Sequence, residues 1–296
     1  MTNPDNLNSS SDQAKISVVI PAKNEMKSIG NVVESVKRQL PGAEIIVVDD
    51  GSNDDTASVA REQGADVVCH PTSLGNGAAV KAGARRASGE ILVFLDADGQ
   101  HDPIDIPRLL DKMNEGYTMV VGARSSSSHA NSARLAANGV YNVIASVITG
   151  HRIPDLTSGF RAVKADLFRT FLYLLPNGFS YPTTITMAFL RAGHPVDFLP
   201  IVAHKRKGKS HIKPLRDGIR FLVIIFKIAT LYAPLKLFLP ASAAFFLLGM
   251  SYYLYTFLTD GRFTNMSLLL FSASVIVFLI GLVSEQITAL NYKDSR

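Results

Sequence analysis

Two carboxylates one residue apart, Asp96 and Asp98, directly follow an apolar run at residues 91–95, and Gln100 stands two positions further on. Carboxylates this close at the end of a buried strand can hold Mg2+ or Mn2+, one ligating directly and the other through water, with substrate phosphate oxygens completing the shell. A turn rich in Asp and Gly is the competing structural reading, and an isolated Asp-x-Asp does not decide between them. Gln100 adds a third oxygen donor. Asp49-Asp50 closes another apolar run and could receive ribose hydroxyls or a base edge, and Pro21-Ala-Lys-Asn-Glu25 closes a third. The string Leu74-Gly-Asn-Gly-Ala-Ala-Val-Lys81 opens a helical pattern. Its glycines allow close backbone approach to a nucleotide, with Lys81 near the phosphates; a helix N-terminus with a flexible entry is the plain alternative. A nicotinamide-type dinucleotide fingerprint is excluded by position, because its glycines belong after the first strand, where this chain has PAKNE.

Such groups act together only if a frame brings the strand ends to one edge. Apolar, β-branched runs at 16–20, 44–48, 66–69, 91–95 and 118–121 alternate with helical periodicity at 28–40, 54–63, 77–87 and 104–114. Continuous apolar strands separated by single helices predict a parallel sheet covered on both faces, and ligands of such sheets sit at the carboxyl ends of the strands. The four polar strings fall at those ends. Residues 123–203 are less regular, with a helix expected at 133–149, a loop at 152–161, a helix at 181–192 and a strand at 196–202.

Residues 233–290 hold only four charges, Lys236, Asp260, Arg262 and Glu285. Uncharged runs of 23 residues (237–259) and 22 residues (263–284) lie within that stretch, each above the ~20 residues needed to cross a hydrocarbon core. A two-helix transmembrane hairpin is therefore expected, with the short 259–265 loop on one side and both ends on the other. Of the net charge of +5, residues 204–220 carry +6. A basic cluster just before a span fits the positive-inside rule and attraction to an anionic bilayer. Nucleic-acid binding is disfavoured, since the charge is localised beside the membrane segment and no nucleic-acid-binding motif accompanies it. Residues 213–232, apolar with Arg216, Arg220 and Lys227, read as an interfacial amphipathic helix. Lys293 and Arg296 agree with a cytoplasmic C-terminal tail. The polar residues 1–15 lack an apolar signal core and read as a disordered tail. Cys69, the single cysteine, permits no internal disulfide and is expected to pack as a small buried hydrophobe. The divisions are 1–15, 16–212 (catalytic), 213–232 and 233–296, and the catalytic part belongs in the cytoplasm.

Together the strings VVIPAKNE, IIVVDDGSNDDT, LGNGAAVKAG, LDADGQHDP, GAR at 122–124 and DLTSGFRA at 155–162 closely resemble the family 2 glycosyltransferases. More narrowly, they resemble the polyprenyl-phosphate glycosyltransferases, the group of dolichyl-phosphate mannose synthase and bacterial undecaprenyl-phosphate sugar transferases. The resemblance covers residues 16–212, and the two spans match a membrane-anchored subgroup. It implies an α/β GT-A fold, Rossmann-like with a mostly parallel sheet, and a nucleotide-sugar donor (UDP- or GDP-linked). Pro21, Glu25, Val48 and Asp50 would line the nucleotide pocket, where Lys23 stands in place of the usual aromatic. Asp96, Ala97 and Asp98 would contact the diphosphate through Mg2+ or Mn2+, with Asp98 and Gln100 as ligands. Arg124 and Arg161 would face phosphate groups of donor or acceptor, and Ser158-Gly159 would shape the acceptor pocket. The family's Arg-x-x-Gly-x-Ser-Lys string appears as Lys205-Arg206-Lys207-Gly208-Lys209-Ser210-His211, which puts Lys205, Arg206, Lys209 and His211 at the acceptor phosphate. Structural ion pairing competes for Arg124 and Arg161, and plain membrane attraction for the basic string; His70, His101 and His204 read as polar spectators.

The implied reaction is attack of an undecaprenyl or dolichyl phosphate oxygen on the anomeric carbon, with inversion and loss of nucleoside diphosphate. A phosphate monoester, with its second pKa around 6, needs little help from a base; Asp155 could orient the acceptor or act as one. The rivals are a polysaccharide-extending membrane synthase, for which two spans are too few and a Trp-containing motif is missing, and a catalytically inactive scaffold, against which Asp96, Asp98 and Gln100 argue. The sequence leaves homo-oligomer formation open.

Overall fold

The computed structural model describes residues 14–124, 142–147, 149–178, 180–202 and 232–291, with 139, 226 and 230 as isolated positions. The basic string at 205–211, with Lys205, Arg206, Lys209 and His211, lies outside the described residues, as do most of the expected 213–232 helix and nearly all of the 1–15 tail. Of the helix expected at 133–149, residues 139, 142–147 and 149 are described and helical.

The first part of the chain alternates β1 (Ile16–Ala22), α1 (Ile29–Gln39), β2 (Glu44–Asp49), α2 (Thr56–Glu62), β3 (Asp66–Cys69), α3 (Asn76–Arg86), β4 (Ile91–Phe94), a 3-10 turn (Pro103–Asp105), α4 (Ile106–Asn114) and β5 (Met119–Arg124). After it come β6 (Arg161–Lys164), α5 (Ala165–Thr170), α6 (Tyr181–Arg191), β7 (Val196–Ile201), α7 (Pro234–Asp260) and α8 (Asn265–Asn291). The strands form one seven-stranded sheet in the order β3-β2-β1-β4-β6-β5-β7. Every pairing is parallel except those of β6 with β4 and with β5.

Period-two alternation divides the core into two layers. Val19, Ile46, Val48, Leu92 and Phe94 pack on α3, α5 and α6 on one face. Val18, Ile20, Val47, Val93 and Leu95 pack on α1, α2 and α4 on the other, where Ile29, Val32, Val33 and Val36 give α1 its apolar stripe. Pro21, expected to stop β1, instead lies within it. The Ala22 carbonyl accepts from Asp50 N–H on the β2 side, whereas Val19 O accepts from Leu95 N–H on the β4 side. Pro21 thus points toward β4 beyond the last rung of that ladder, at Val19 and Phe94, where a missing N–H costs nothing.

Two strand-level expectations are corrected. Residues 161–164, where the sequence pattern predicts the end of a loop and no strand, form β6; Arg161 lies opposite both Phe94 and Val121. Because β6 runs against its neighbours, the 155–160 segment leading into it arrives at the same edge as the carboxyl ends of β1, β2 and β4. Cys69 is exposed, not packed. It ends β3, the outermost strand, and its sulfur accepts from Arg61 Nη2 at 3.1 Å.

The two C-terminal helices are each long and apolar enough to cross a membrane. They meet through small residues: a Cβ on Gly281 would come within 2.7 Å of Phe238 Cβ, and one on Gly249 within 3.1 Å of Leu270 Cβ. Ser242 Oγ donates to Ser274 O at 3.0 Å and Ser274 Oγ to Ser242 O at 2.9 Å. Large apolar side chains such as Leu247, Leu254 and Leu258 face outward.

Candidate active site

The loops after β1 and β2 are stitched into one wall. Asn24, in the left-handed region at φ 55°, donates its N–H to Ser52 Oγ at 2.9 Å, and its Oδ1 accepts from Asn53 N–H at 2.8 Å. Glu25 N–H donates to Thr56 Oγ1 at 2.9 Å and Met26 N–H to Asp54 Oδ2 at 3.3 Å. Ser52, Asn53, Asp54 and Thr56 of the IIVVDDGSNDDT string thus anchor the PAKNE loop. Pro21 is buried in this wall, Lys23 is exposed beside it, and the half-buried Glu25 carboxylate accepts from Ser28 Oγ at 3.0 Å.

At the end of β4, Asp96 is partly exposed (37% of its side chain) and Ala97 is buried in the α1-side core. Asp98 Oδ1 accepts the backbone N–H of the half-buried Gln100 at 3.1 Å, closing a tight turn after β4. Gly159 presses on Asp96 from the other side; a Cβ there would lie 3.0 Å from Oδ2 and 3.1 Å from Oδ1. His101 is buried, stacked on Phe160 with centroids 5.4 Å apart, and its Nε2 lies 3.8 Å from Asp96 Oδ2. Burial, seconded by the Arg124 charge, brings the His101 pKa down to about 4, so the ring is neutral near pH 7. A hard divalent cation fits this donor set. Among the described residues no three His, Cys, Asp or Glu side chains converge on one point; the protein offers a partial oxygen shell of the kind that Mg2+ completes with substrate phosphates and water.

Arg124, at the end of β5, forms a bidentate pair with Asp155: Nε donates to Oδ2 at 2.7 Å and Nη2 to Oδ1 at 3.0 Å, with the Arg124 N–H on Oδ2 at 3.2 Å. Nη2 also donates to Thr157 Oγ1 at 2.6 Å. Burial works to raise the Asp155 pKa, but the hydrogen bonds and charge of Arg124 hold it below the usual carboxylate range, which makes it a poor proton acceptor. The pair leaves Nη1 of Arg124 outside it.

Four of the expected contacts are redirected by burial. Arg161 has no exposed surface; its Nη1 donates to Pro182 O and Thr186 Oγ1, both at 3.1 Å, its Nη2 to Ser158 O, and its guanidinium lies 5.7 Å from the Tyr181 ring. It organises the loop from inside and cannot reach a phosphate from there. Ser158 is likewise fully buried, its hydroxyl without a hydrogen-bond partner. Val48 packs its side chain on α3. Asp50, 4% exposed, is occupied by the chain itself: His70 Nδ1 at 2.8 Å, Ser73 Oγ at 2.7 Å and the Leu74 and Gly75 amides at 2.8 and 2.9 Å.

The glycine string has a different partner from the one expected. A Cβ on Gly77 would lie 2.0 Å from Pro176 O and one on Gly75, at φ +104°, 2.5 Å from Asn177 O. The Gly77 and Ala78 amides donate to Gly178 O and Asn177 O at 3.3 and 3.0 Å, so the start of α3 is capped by backbone carbonyls. Lys81 Nζ donates to Leu175 O at 3.1 Å and to Asn177 Oδ1. The glycines and Lys81 bind the 175–178 segment, not phosphate. Thr157, Thr186 and Tyr181, whose hydroxyl donates to Gly159 O at 3.3 Å, complete the site; no spacing in the sequence marks the last two as its neighbours.

The chain thus combines a carboxylate pair at a strand end, an arginine near it and an apolar two-helix hairpin. The profile of glycosyl transferase family 2 matches residues 17–172 and that of the GtrB C-terminal hairpin matches residues 233–290. The chain belongs to glycosyl transferase family 2. A dolichyl-phosphate hexose transferase of Haloferax volcanii is 30% identical over 205 residues, 69% of this chain and 89% of that protein. The undecaprenyl-phosphate 4-deoxy-4-formamido-L-arabinose transferase of Serratia proteamaculans is 32% identical over 57% of this chain, which spans 58% of that protein's length. In fold the chain is similar to glucosyl-3-phosphoglycerate synthase of Mycobacterium tuberculosis, solved with Mn2+ and uridine-diphosphate-glucose: TM-score 0.59 at 24% identity, covering 73% of this chain and 78% of that one.

The Asp50 cluster has a pH signature. Burial would raise this carboxyl, but the hydrogen bonds from His70, Ser73, Leu74 and Gly75 carry it to about 2, against about 3.9 in an unfolded chain. Its stabilisation is thus complete above about pH 4 and is lost as pH falls toward 2. Asp50→Asn should lower stability at neutral pH by ~1–3 kcal/mol and flatten the difference between the two proteins' unfolding midpoints below pH 4. Identical acid limbs would contradict the assignment.

Proposed function

We propose that this glycosyltransferase moves a sugar from a UDP- or GDP-linked donor to a polyprenyl phosphate at the cytoplasmic membrane face, with inversion and with Mg2+ or Mn2+. The observation that carries the reading is the pairing, in one chain, of the Asp96/Asp98 site with a two-helix apolar hairpin. The hairpin makes sense where one substrate never leaves the bilayer, and the named activities of the Haloferax and Serratia relatives support a polyprenyl phosphate in that role. The PAKNE wall with Pro21, Lys23 and Glu25 would receive the nucleotide. Asp96, Asp98 and Gln100 would hold the metal, which when bound offsets charge on the departing diphosphate. Arg124, with Nη1 outside its pair, would meet a phosphate, and Lys205, Arg206, Lys209 and His211 would attract the acceptor headgroup.

Little proton transfer is needed, because the acceptor phosphate is already largely dianionic at neutral pH. Positioning and charge neutralisation then supply most of the rate. Asp155 in this scheme is a positioning residue: its bidentate contact fixes the plane of the Arg124 guanidinium.

Radiolabelled nucleotide-sugars screened on membranes with added polyprenyl phosphate test the reaction. EDTA should stop transfer and Mg2+ or Mn2+ restore it, and Asp98→Asn should cost roughly a hundredfold or more in kcat while the protein keeps its fold; full transfer in EDTA would overturn metal dependence.

The positioning role of Asp155 predicts that Asp155→Asn lowers kcat yet keeps the acidic limb of the kcat–pH profile, which belongs to the acceptor phosphate. Loss of that limb would make Asp155 the base.

For topology, the +6 of residues 204–220 against the matched Asp260 and Arg262 supports a cytoplasmic catalytic domain. A cysteine in place of Thr264, on a Cys69→Ser background, should react in intact cells with an impermeant maleimide, and one in place of Arg296 should not; the reverse pattern would invert the orientation.

A further inference from the structure

The apolar run of α8 ends on a carboxylate. Glu285 lies 20 residues beyond Asn265, about 30 Å along the helix, which is one hydrocarbon thickness. An ionisable group there stands at the hydrocarbon boundary, where what distinguishes it is the set of groups it pairs with. Among the described residues its two partners come from different elements. Oε1 accepts from Arg191 Nη2 at 3.0 Å, in the last turn of α6 on the catalytic domain, and Oε2 accepts the Leu235 N–H at 3.3 Å, in the first turn of α7. A single carboxylate therefore ties both hairpin helices to the catalytic domain, with the positive end of α7 and a guanidinium sharing its charge. Neutral bonds flank it: the buried Tyr232 hydroxyl donates to Thr184 O at 2.6 Å, and Thr288 Oγ1 to Thr230 O at 3.4 Å.

The helix that Glu285 grips is the one that builds the acceptor side of the site. At its other end, α6 supplies Pro182 O and Thr186 Oγ1 to Arg161 and the Tyr181 hydroxyl to Gly159 O, and Gly159 abuts Asp96. From the bilayer edge to the metal carboxylate the connection is one eleven-residue helix.

We propose that Glu285, paired with Arg191, is a positioning residue that fixes the height and tilt of the catalytic domain on its hairpin, so that a phosphate tethered in the bilayer arrives in line with the donor sugar. The role rests on the polyprenyl-phosphate reading. An acceptor free in solution can follow a domain that tilts; one held by a long tail cannot.

The full chain in nanodiscs tests this with Glu285→Gln and Arg191→Gln. Each variant should lose roughly tenfold or more in kcat/KM with an undecaprenyl phosphate and change less than about twofold with a short, water-soluble prenyl phosphate. Because the two residues act as one contact, the double variant should lose no more than either single one. Hydrogen exchange should quicken at the Leu235 amide and the last turn of α6 while that of β1 and β2 holds. Equal losses with both acceptors, additive losses in the double variant, or unchanged exchange would overturn the role. If the unaltered protein transfers sugar to neither prenyl phosphate, the acceptor reading falls, and the exchange measurement alone still decides whether Glu285 holds the domain to the hairpin.

Discussion

A guanidinium with no exposed surface sits at the centre of this structure. Burying a charge costs several kcal/mol unless polar groups replace its water, and Ser158 O, Pro182 O, Thr186 Oγ1 and the face of Tyr181 meet most of that demand for Arg161, whose Nε is left without a partner. Each of these belongs to a part that must hold still for chemistry: the 155–160 segment, the start of α6, and the aromatic that carries Gly159. With Arg161 in place the segment has one path, and that path presses Gly159 on Asp96 and brings Asp155 under Arg124. Two arginines that look alike in sequence thus divide the labour. One is locked in the interior so that the other can stand at the edge.

Much of the frame was legible because its signals are local. Four of the five strands expected in the first 122 residues are continuous apolar runs whose starts and ends lie within two residues of those observed, and the helices between them carry their stripes within a single turn-to-turn pattern. Asp96, Asp98 and Gln100 could be located at a strand end for the same reason. What escaped depends on partners far away in sequence. β6 is four residues long, with no alternation of its own to read, and exists because β4 and β5 leave a gap that an antiparallel strand fills. The glycines at 75 and 77 announce a close approach, but only the fold reveals that the visitor is the backbone at 176–178, a hundred positions downstream.

Charge was the least reliable guide to position. Asp50, Lys81 and Arg161 all carry the formal charge that nucleotide or phosphate binding requires, and all three are spent on the chain's own groups. A sequence shows that a side chain is ionisable; it does not show how many donors or acceptors the fold will aim at it. The PAKNE wall is the counterpart, where the neutral residues Asn24, Ser52, Asn53 and Thr56 carry the load. This wall is thereby held in shape by its own hydrogen bonds, and less ordering would have to be supplied by any binding there.

The crossed serines of the hairpin have a mechanical consequence. Sliding α7 against α8 by one turn, about 5.4 Å, would break both Ser242–Ser274 bonds and leave two hydroxyls and two carbonyls facing hydrocarbon, and Gly249 and Gly281 would lose the close fits that admit Leu270 and Phe238. The hairpin therefore has a fixed length and behaves as a ruler, not a piston. A thicker or thinner bilayer must be met by leaning the whole rod or deforming the lipid around it. Bilayer thickness becomes, for this protein, an angle.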